Sequence, residues 1–178
     1  SARKLPGPLI LVHVKVIPVK EHHHHDEAEI AGMAFDAAYA EVPEERMLFN
    51  NTARDVLAVA ERMMRGEIAF KAGRREEGLA CLRQAVSLDD ELMYEEPWSW
   101  PQPTRHALGA LLMEAGEYGE AETVYRADLG LDEALPRPSR HPRNVWALHG
   151  LHECLQRRGE TVERRHIRML LDQAVARA

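Results

Sequence analysis

A pair of small residues recurs along this chain with a fixed period of 43 residues. The three pairs are Gly66 and Gly73, Gly109 and Gly116, and His152 and Gly159, where a histidine takes the place of the first glycine. Self-similarity with a period of roughly 20 to 50 residues is typical of repeat architectures, in which each unit buries its apolar face only by stacking on its neighbours. The period therefore predicts a helical repeat protein and favours binding over catalysis.

Small residues inside each unit specify the kind of repeat. In ERMMRGEIAFKAGRREEGLACLRQAVSLDD, residues Gly66, Gly73, Gly78 and Ala85 stand at the small-residue offsets of a tetratricopeptide repeat, where they let two helices approach closely. HALGALLMEAGEYGEAETVYRADLGLD is the closest match, with Tyr125 at a position that favours aromatics. WALHGLHECLQRRGETVERRHIRMLLDQ is degenerate, as terminal capping units usually are. A standard unit has about 34 residues, so about nine extra residues separate these units.

The predicted fold is all-α, a right-handed solenoid of tetratricopeptide-like hairpins with about seven helices. Apolar spacing and caps predict a first helix at 26–42 and a second that runs from a cap at Asn51 or Thr52 to Phe70. The other five helices are predicted at 75–88, 102–115, 118–130, 143–157 and 160–176. Residues 1–25 are predicted to be an irregular N-terminal segment, extended over 9–17, and 26–178 the repeat domain. Its units lie near 26–50 (partial), 52–92, 102–134 and 143–177. The partial first unit predicts that the chain is the C-terminal part of a longer array.

Composition narrows the class of partner. A formal net charge of −6 and a pI near 5.9 argue against a nucleic-acid or anionic-membrane surface, because phosphate binding needs a net basic footprint. Basic partners remain open. Cys81 and Cys154 fall in helices of different units, which favours reduced, packed thiols and a cytoplasmic location over a disulfide.

The first insertion, residues 93–103, packs Tyr94, Trp98 and Trp100 among three prolines. Either the two tryptophans fill a widened gap between units, or they form a stiff contact surface for a peptide or ligand. Glu95 and Glu96 lie in the same loop, and because neighbouring loop side chains diverge, both are expected to be solvated.

The second insertion, residues 133–144, carries three arginines and three prolines. It is either a solvated basic loop or a site for a carboxylate or phosphate. The arginines are Arg137, Arg140 and Arg143.

Longer stretches carry a more specific resemblance. FNNTARDVLAVAERM, YEEPWSWPQPTRHALGALLMEAG, YRADLGLDEALPR and HPRNVWALHGLHECL resemble the C-terminal region of a family of longer bacterial and fungal tetratricopeptide-repeat proteins. The resemblance covers roughly residues 43–176. It implies further helical repeats upstream and no assignable activity.

Histidines are the candidates for chemistry. The run from His22 to His25 is either a polar linker or a weak metal-binding tract. His149, His152 and Glu153 form H-x-x-H-E, which places two imidazoles on one helical face, with a third ligand to come from His106 or His141. A histidine packed at a repeat interface is the simpler interpretation, and no cofactor is expected unless this set holds a divalent metal.

The predicted function is a non-catalytic scaffold whose concave groove binds a protein or peptide. The predicted lining is Trp98, Trp100, His106, Trp146 and His149. One alternative is a metal-binding protein or metal-dependent enzyme that uses the histidines. A second alternative is a structural self-association module that forms a homodimer, because the partial first unit exposes an apolar helix face.

Overall fold

The computed structural model describes residues 24–177, and its secondary structure is almost entirely helical. The elements are α1 (His24–Ala40), β1 (Met47–Leu48), β2 (Asn51–Thr52), α2 (Ala53–Lys71), α3 (Arg75–Glu91), α4 (Thr104–Ala115), α5 (Tyr118–Leu129), a 3-10 helix (Arg137–Ser139), α6 (Val145–Arg158) and α7 (Thr161–Val175). The all-α class and the seven helices are confirmed over this range. The extended segment predicted at 9–17 lies outside the described residues.

The second residue of each periodic pair ends a helix. Gly116 and Gly159 follow α4 and α6 with φ of 86° and 77°, a left-handed conformation that residues with a Cβ rarely adopt. Gly73 has the same conformation after α2, with φ of 85°. Because the chain reverses at each of these glycines, α2 is followed by α3, α4 by α5 and α6 by α7 as close helix pairs.

The helices from α2 to α7 pack in chain order around one apolar core. Each contacts the next, and α2 also contacts α4, as α4 does α6. The largest side chains that are fully buried in this core are six leucines and one isoleucine, namely Leu79, Leu82, Leu112, Leu148, Leu151, Leu155 and Ile167. None of the helices within residues 24–177 is both long and apolar enough to cross a membrane.

Helix α1 is less well covered than the others. It contacts α2, but Ile30 and Met33 remain 63% and 66% exposed. An apolar surface of this kind at the edge of a helical stack is available to a further element.

A short β-hairpin, which the sequence patterns did not predict, precedes α2. Its strands pair in antiparallel register, and Thr52 then caps α2 by accepting a hydrogen bond from the backbone of Asp55 at 3.1 Å. Thr52 is thus the cap, and Asn51 has another role. The Asn51 side chain donates to Met93 O at 2.9 Å and accepts from Met93 N at 2.7 Å, which fixes the 93–103 loop to the start of α2.

Glu95 belongs to this same connection. Its carboxylate accepts from the backbone of Asn50 at 2.8 Å and from the side chain of Asn51 at 3.2 Å, and only 7% of the residue is exposed. The expectation that Glu95 is solvated is therefore wrong. The β-hairpin supplies hydrogen-bond donors to the Glu95 carboxylate, and the sequence around the loop does not reveal them. Glu96 is exposed, as expected.

Candidate functional site

An open groove with a volume of about 530 Å³ runs between α4 and α6. One wall comes from α4, the other from α6, and the loop before α4 forms an edge. The lining residues are Pro101, Gln102, Pro103, His106, Ala110, Met113, Tyr125, Trp146, His149, Gly150 and Glu153. Its volume lies within the range of about 300–1,000 Å³ that is usual for ligand sites.

Tyr125 of α5 forms the floor of this groove. Its ring passes between two glycines, one on each wall: a Cβ added at Gly109 would lie 2.5 Å from the ring carbon Cζ, and one at Gly150 would overlap the ring. The ring is 5% exposed, and it reaches the groove only because both positions lack a side chain. The absence of side chains at Gly109 and Gly150 therefore allows Tyr125, which lies on α5, to line a groove between α4 and α6.

The Tyr125 hydroxyl stays protonated. Burial raises its pKa, and the negative charges of Glu153 and Asp128 raise it further. A protonated phenol can both donate and accept a hydrogen bond at the groove floor.

A buried carboxylate lies behind the α4 wall. Asp128 of α5 is 1% exposed, and its two oxygens contact His106 Nε2 at 2.9 Å and His141 Nδ1 at 2.8 Å. Burial alone would raise the pKa of Asp128, but the hydrogen bonds from His106 and His141 outweigh it and hold the pKa below its usual value. The carboxylate is therefore ionised and joins α4, α5 and the loop before α6.

This carboxylate also sets the protons on the imidazoles. Each ring donates its bonded N–H to Asp128, so in the neutral ring the other nitrogen carries a lone pair. For His106, which lines the groove, that nitrogen is Nδ1. His141 Nε2 is buried and has no hydrogen-bond partner among residues 24–177, an arrangement that suits a lone pair better than an N–H.

Trp146 is the most exposed aromatic side chain of the groove. It lies in the first turn of α6, whose N-cap Asn144 accepts from the backbone of Trp146 at 2.9 Å. The side chain is 71% exposed. Because residues three and four apart share a helix face, Trp146, His149 and Glu153 form one stripe along α6.

The structure divides the predicted lining into two places. His106, Trp146 and His149 lie in the groove, whereas Trp98 and Trp100 line a smaller cavity of about 70 Å³ formed by the 93–103 loop and the end of α3. Trp100 packs against the core, and its indole N–H donates to Met63 Sδ at 3.1 Å. Trp98 meets His141 edge-on, with ring centroids 4.1 Å apart.

The predicted metal set is not assembled as a cluster. Glu153 and His149 line the groove, but His152 does not. Burial, followed by the charges of Arg168, Arg164 and His149, lowers the pKa of His152. Within the described residues no group of three or more histidine, cysteine or acidic side chains is arranged to hold a metal ion.

The suggested third ligands, His106 and His141, both hydrogen-bond Asp128 through one ring nitrogen. In the second insertion, Arg140 is half-buried and donates to Leu135 O at 2.7 Å, whereas Arg137 and Arg143 are exposed. Arg140 therefore stabilises the conformation of its own loop.

Sequence patterns missed the floor and the back of the groove. Tyr125 was identified only as an aromatic scaffold position, and Asp128 carried no motif. Gly150 was the available signal in the sequence for this floor. It lies close to the degenerate repeat position 152, and, like Gly109 on the opposite wall, it leaves room for the Tyr125 ring.

None of the protein-family models, curated proteins or solved structures that were compared with the chain matches it.

Proposed function

We propose that this protein is a non-catalytic scaffold that binds a peptide segment of a partner protein in the α4–α6 groove. The observation that carries the proposal is the groove itself, an open channel of about 530 Å³ with the exposed Trp146 on one wall and Tyr125 at its floor. Exposed aromatic side chains on rigid helices are the usual anchors of peptide recognition, because they offer large contact areas at small entropic cost.

Three features support a tetratricopeptide-like solenoid as the scaffold. The 43-residue period coincides with the helix pairs, the first helices of successive pairs (α2, α4 and α6) contact one another, and small residues lie where helices cross. Gly78 is an example, since a Cβ there would lie 2.7 Å from Gly66 O. Groove residues on α4 and α6 then belong to the concave side, where such arrays bind their partners.

The polar groups of the groove suit binding. His106 offers an acceptor, Tyr125 a hydroxyl, Gln102 an amide and Glu153 a carboxylate, set among apolar and aromatic lining residues. A few fixed polar groups among apolar walls orient a ligand and give specificity.

Selection from a phage-displayed library of random peptides tests this function. Ala110 is exposed and lines the groove, so Ala110→Trp fills the channel without entering the core. Ala37 is exposed on α1, away from the groove, and Ala37→Trp is the matched control. We expect peptides that bind the wild type and Ala37→Trp and lose binding to Ala110→Trp by at least about tenfold.

Two results would refute the proposal. One is a selection that enriches no peptide against the wild type. The other is a set of peptides that bind Ala110→Trp as well as the wild type, which would place their site outside the groove.

Exposure of Ile30 and Met33 on α1 favours self-association as a second candidate function. Light scattering across a concentration series would then show a dimer that Met33→Asp abolishes, and a strict monomer at all concentrations would exclude it. This outcome is independent of the groove.

A further inference from the structure

The groove has a one-sided electrostatic character. Of its eleven lining residues, Glu153 is the one acid, and none is lysine or arginine. A second carboxylate, Asp128, lies directly behind His106. This carboxylate adds a negative charge close to the α4 wall of the channel.

Two basic side chains that lie next to lining residues in the sequence are paired with other carboxylates. Arg105 pairs with Asp90 through two bonds of 2.7 and 2.6 Å, and Arg126 pairs with Glu163 in the same two-pronged way at 2.8 and 2.6 Å. Bidentate pairs of this kind are strong and fix the geometry of both partners. These cations are therefore not free to neutralise the groove.

Glu153 itself is only weakly paired. Its contact with Arg157 is 3.5 Å long and both side chains are about half exposed, a kind of pair that contributes little. A ligand cation could replace Arg157 at Glu153 at small cost.

The uncharged polar atoms point to the same ligand. His106 Nδ1 has a lone pair in the neutral ring, because Nε2 donates to Asp128. Tyr125 oxygen, close enough to Glu153 and Asp128 for both charges to raise its pKa, is a further acceptor. An acidic, acceptor-rich channel with aromatic walls complements a cation that carries several N–H donors.

We propose that the partner segment carries an arginine or lysine whose cation pairs with Glu153 beside the Tyr125 hydroxyl, an inference that rests on the groove being a peptide site. Trp146 lies seven positions before Glu153, about 10 Å along α6, a distance that roughly three residues of an extended peptide span. Trp146 therefore contacts a side chain about three residues from the cation in the same segment.

Four pools of fluorescent heptapeptides test this inference. Each pool has arginine, lysine, citrulline or glutamate at the centre and uncharged random residues elsewhere, and binding is followed by anisotropy at about pH 8, where imidazoles are ordinarily neutral. Citrulline keeps the shape of arginine without its charge. We expect the arginine and lysine pools to bind about tenfold more tightly than the citrulline pool, and the glutamate pool more weakly still.

Two variants separate the roles of the charge and the aromatic ring. Glu153→Gln should remove most of the arginine advantage and leave the citrulline pool nearly unchanged, whereas Trp146→Ala should weaken all pools by a similar factor. Glu133→Gln changes the net charge equally at an exposed position outside the groove and should change neither.

Each remaining outcome is decisive. If Ala110→Trp abolishes binding but the arginine and citrulline pools bind equally well, the cation inference is overturned and the proposed function stands. An arginine advantage that survives Glu153→Gln also overturns it. If no pool shows binding that depends on the groove, the proposed function fails together with the inference.

Discussion

The ring of Tyr125 in α5 lies directly against the backbone of Gly150 in α6, with no room for a side chain at position 150. On its other side the same ring meets Gly109 of α4. One tyrosine therefore fills the gap between two helices and forms the floor of the groove between them.

We expect Gly150→Ala to destabilise the protein by about 2–3 kcal/mol, because the methyl group overlaps the Tyr125 ring and overpacking of this kind costs about 1–3 kcal/mol or more. The loss should be smaller in a Tyr125→Leu background, with a coupling energy of about 1 kcal/mol or more. Urea unfolding of the two single variants and the double variant measures this coupling.

Gly119→Ala is the matched control. Gly119 is an exposed residue of α5, and a Cβ there meets nothing within 4 Å. Alanine should therefore stabilise α5 by about 0.5 kcal/mol through its higher helix propensity. Equal effects of alanine at positions 119 and 150 would contradict the packing described for Tyr125.

The seven helices and the turns within the helix pairs could be predicted from the sequence, because Gly73, Gly116 and Gly159 mark the turn after the first helix of each pair at a constant interval. Trp146 and His149 could be identified as lining residues because rings three positions apart share one face of a helix. Trp100 shows the limit of this reasoning. An aromatic loop residue looks the same in the sequence whether it packs on Met63 or contacts a ligand, and only the Asn51 hydrogen bonds fix which of these occurs.

Asp128→Asn should destabilise the protein by about 2–4 kcal/mol at pH 7, because it removes a buried carboxylate that accepts a hydrogen bond from each of two imidazoles. The pKa of Asp128 is lower in the folded protein than its unfolded value of about 3.9. Its stabilising effect is therefore complete above about pH 4 and is lost as the pH falls through the folded pKa.

Urea unfolding at pH 7, 5 and 3 measures this dependence. The gap between wild type and Asp128→Asn should narrow only at the lowest pH. Asp172→Asn, at an exposed side chain of α7, is the control and should change stability by about 0.5 kcal/mol or less. A gap that is as wide at pH 3 as at pH 7 would argue against the ionised carboxylate.

Cys154 should resist alkylation in the native protein. It is fully buried, and burial, reinforced by the charges of Glu122 and Glu153, raises the pKa of its thiol to about 12. Since the thiolate is the nucleophile, iodoacetamide should modify Cys154 only when the protein opens. In a Cys81→Ser variant, which leaves one thiol, mass spectrometry should find labelling in urea and almost none in buffer. Rapid labelling in buffer would contradict the burial of Cys154.

Trp100 and Trp146 should differ sharply when they are replaced by alanine. Trp100→Ala removes a ring that packs on the core and should cost about 3 kcal/mol. Trp146→Ala removes a largely exposed ring and should change stability by about 0.5 kcal/mol or less. Thermal unfolding of both variants measures the difference. A large loss of stability in Trp146→Ala would show that this ring belongs to the scaffold.

The indole N–H signals of the three tryptophans test most directly whether the α4–α6 groove is the binding surface. With ¹⁵N-labelled protein and Trp→Phe variants to assign the signals, a peptide from the library selection is titrated to saturation. The Trp146 signal should shift along a saturable curve, while the signal of Trp100, whose N–H is bonded to Met63, stays in place. A saturated complex in which the Trp146 signal does not move would contradict the account.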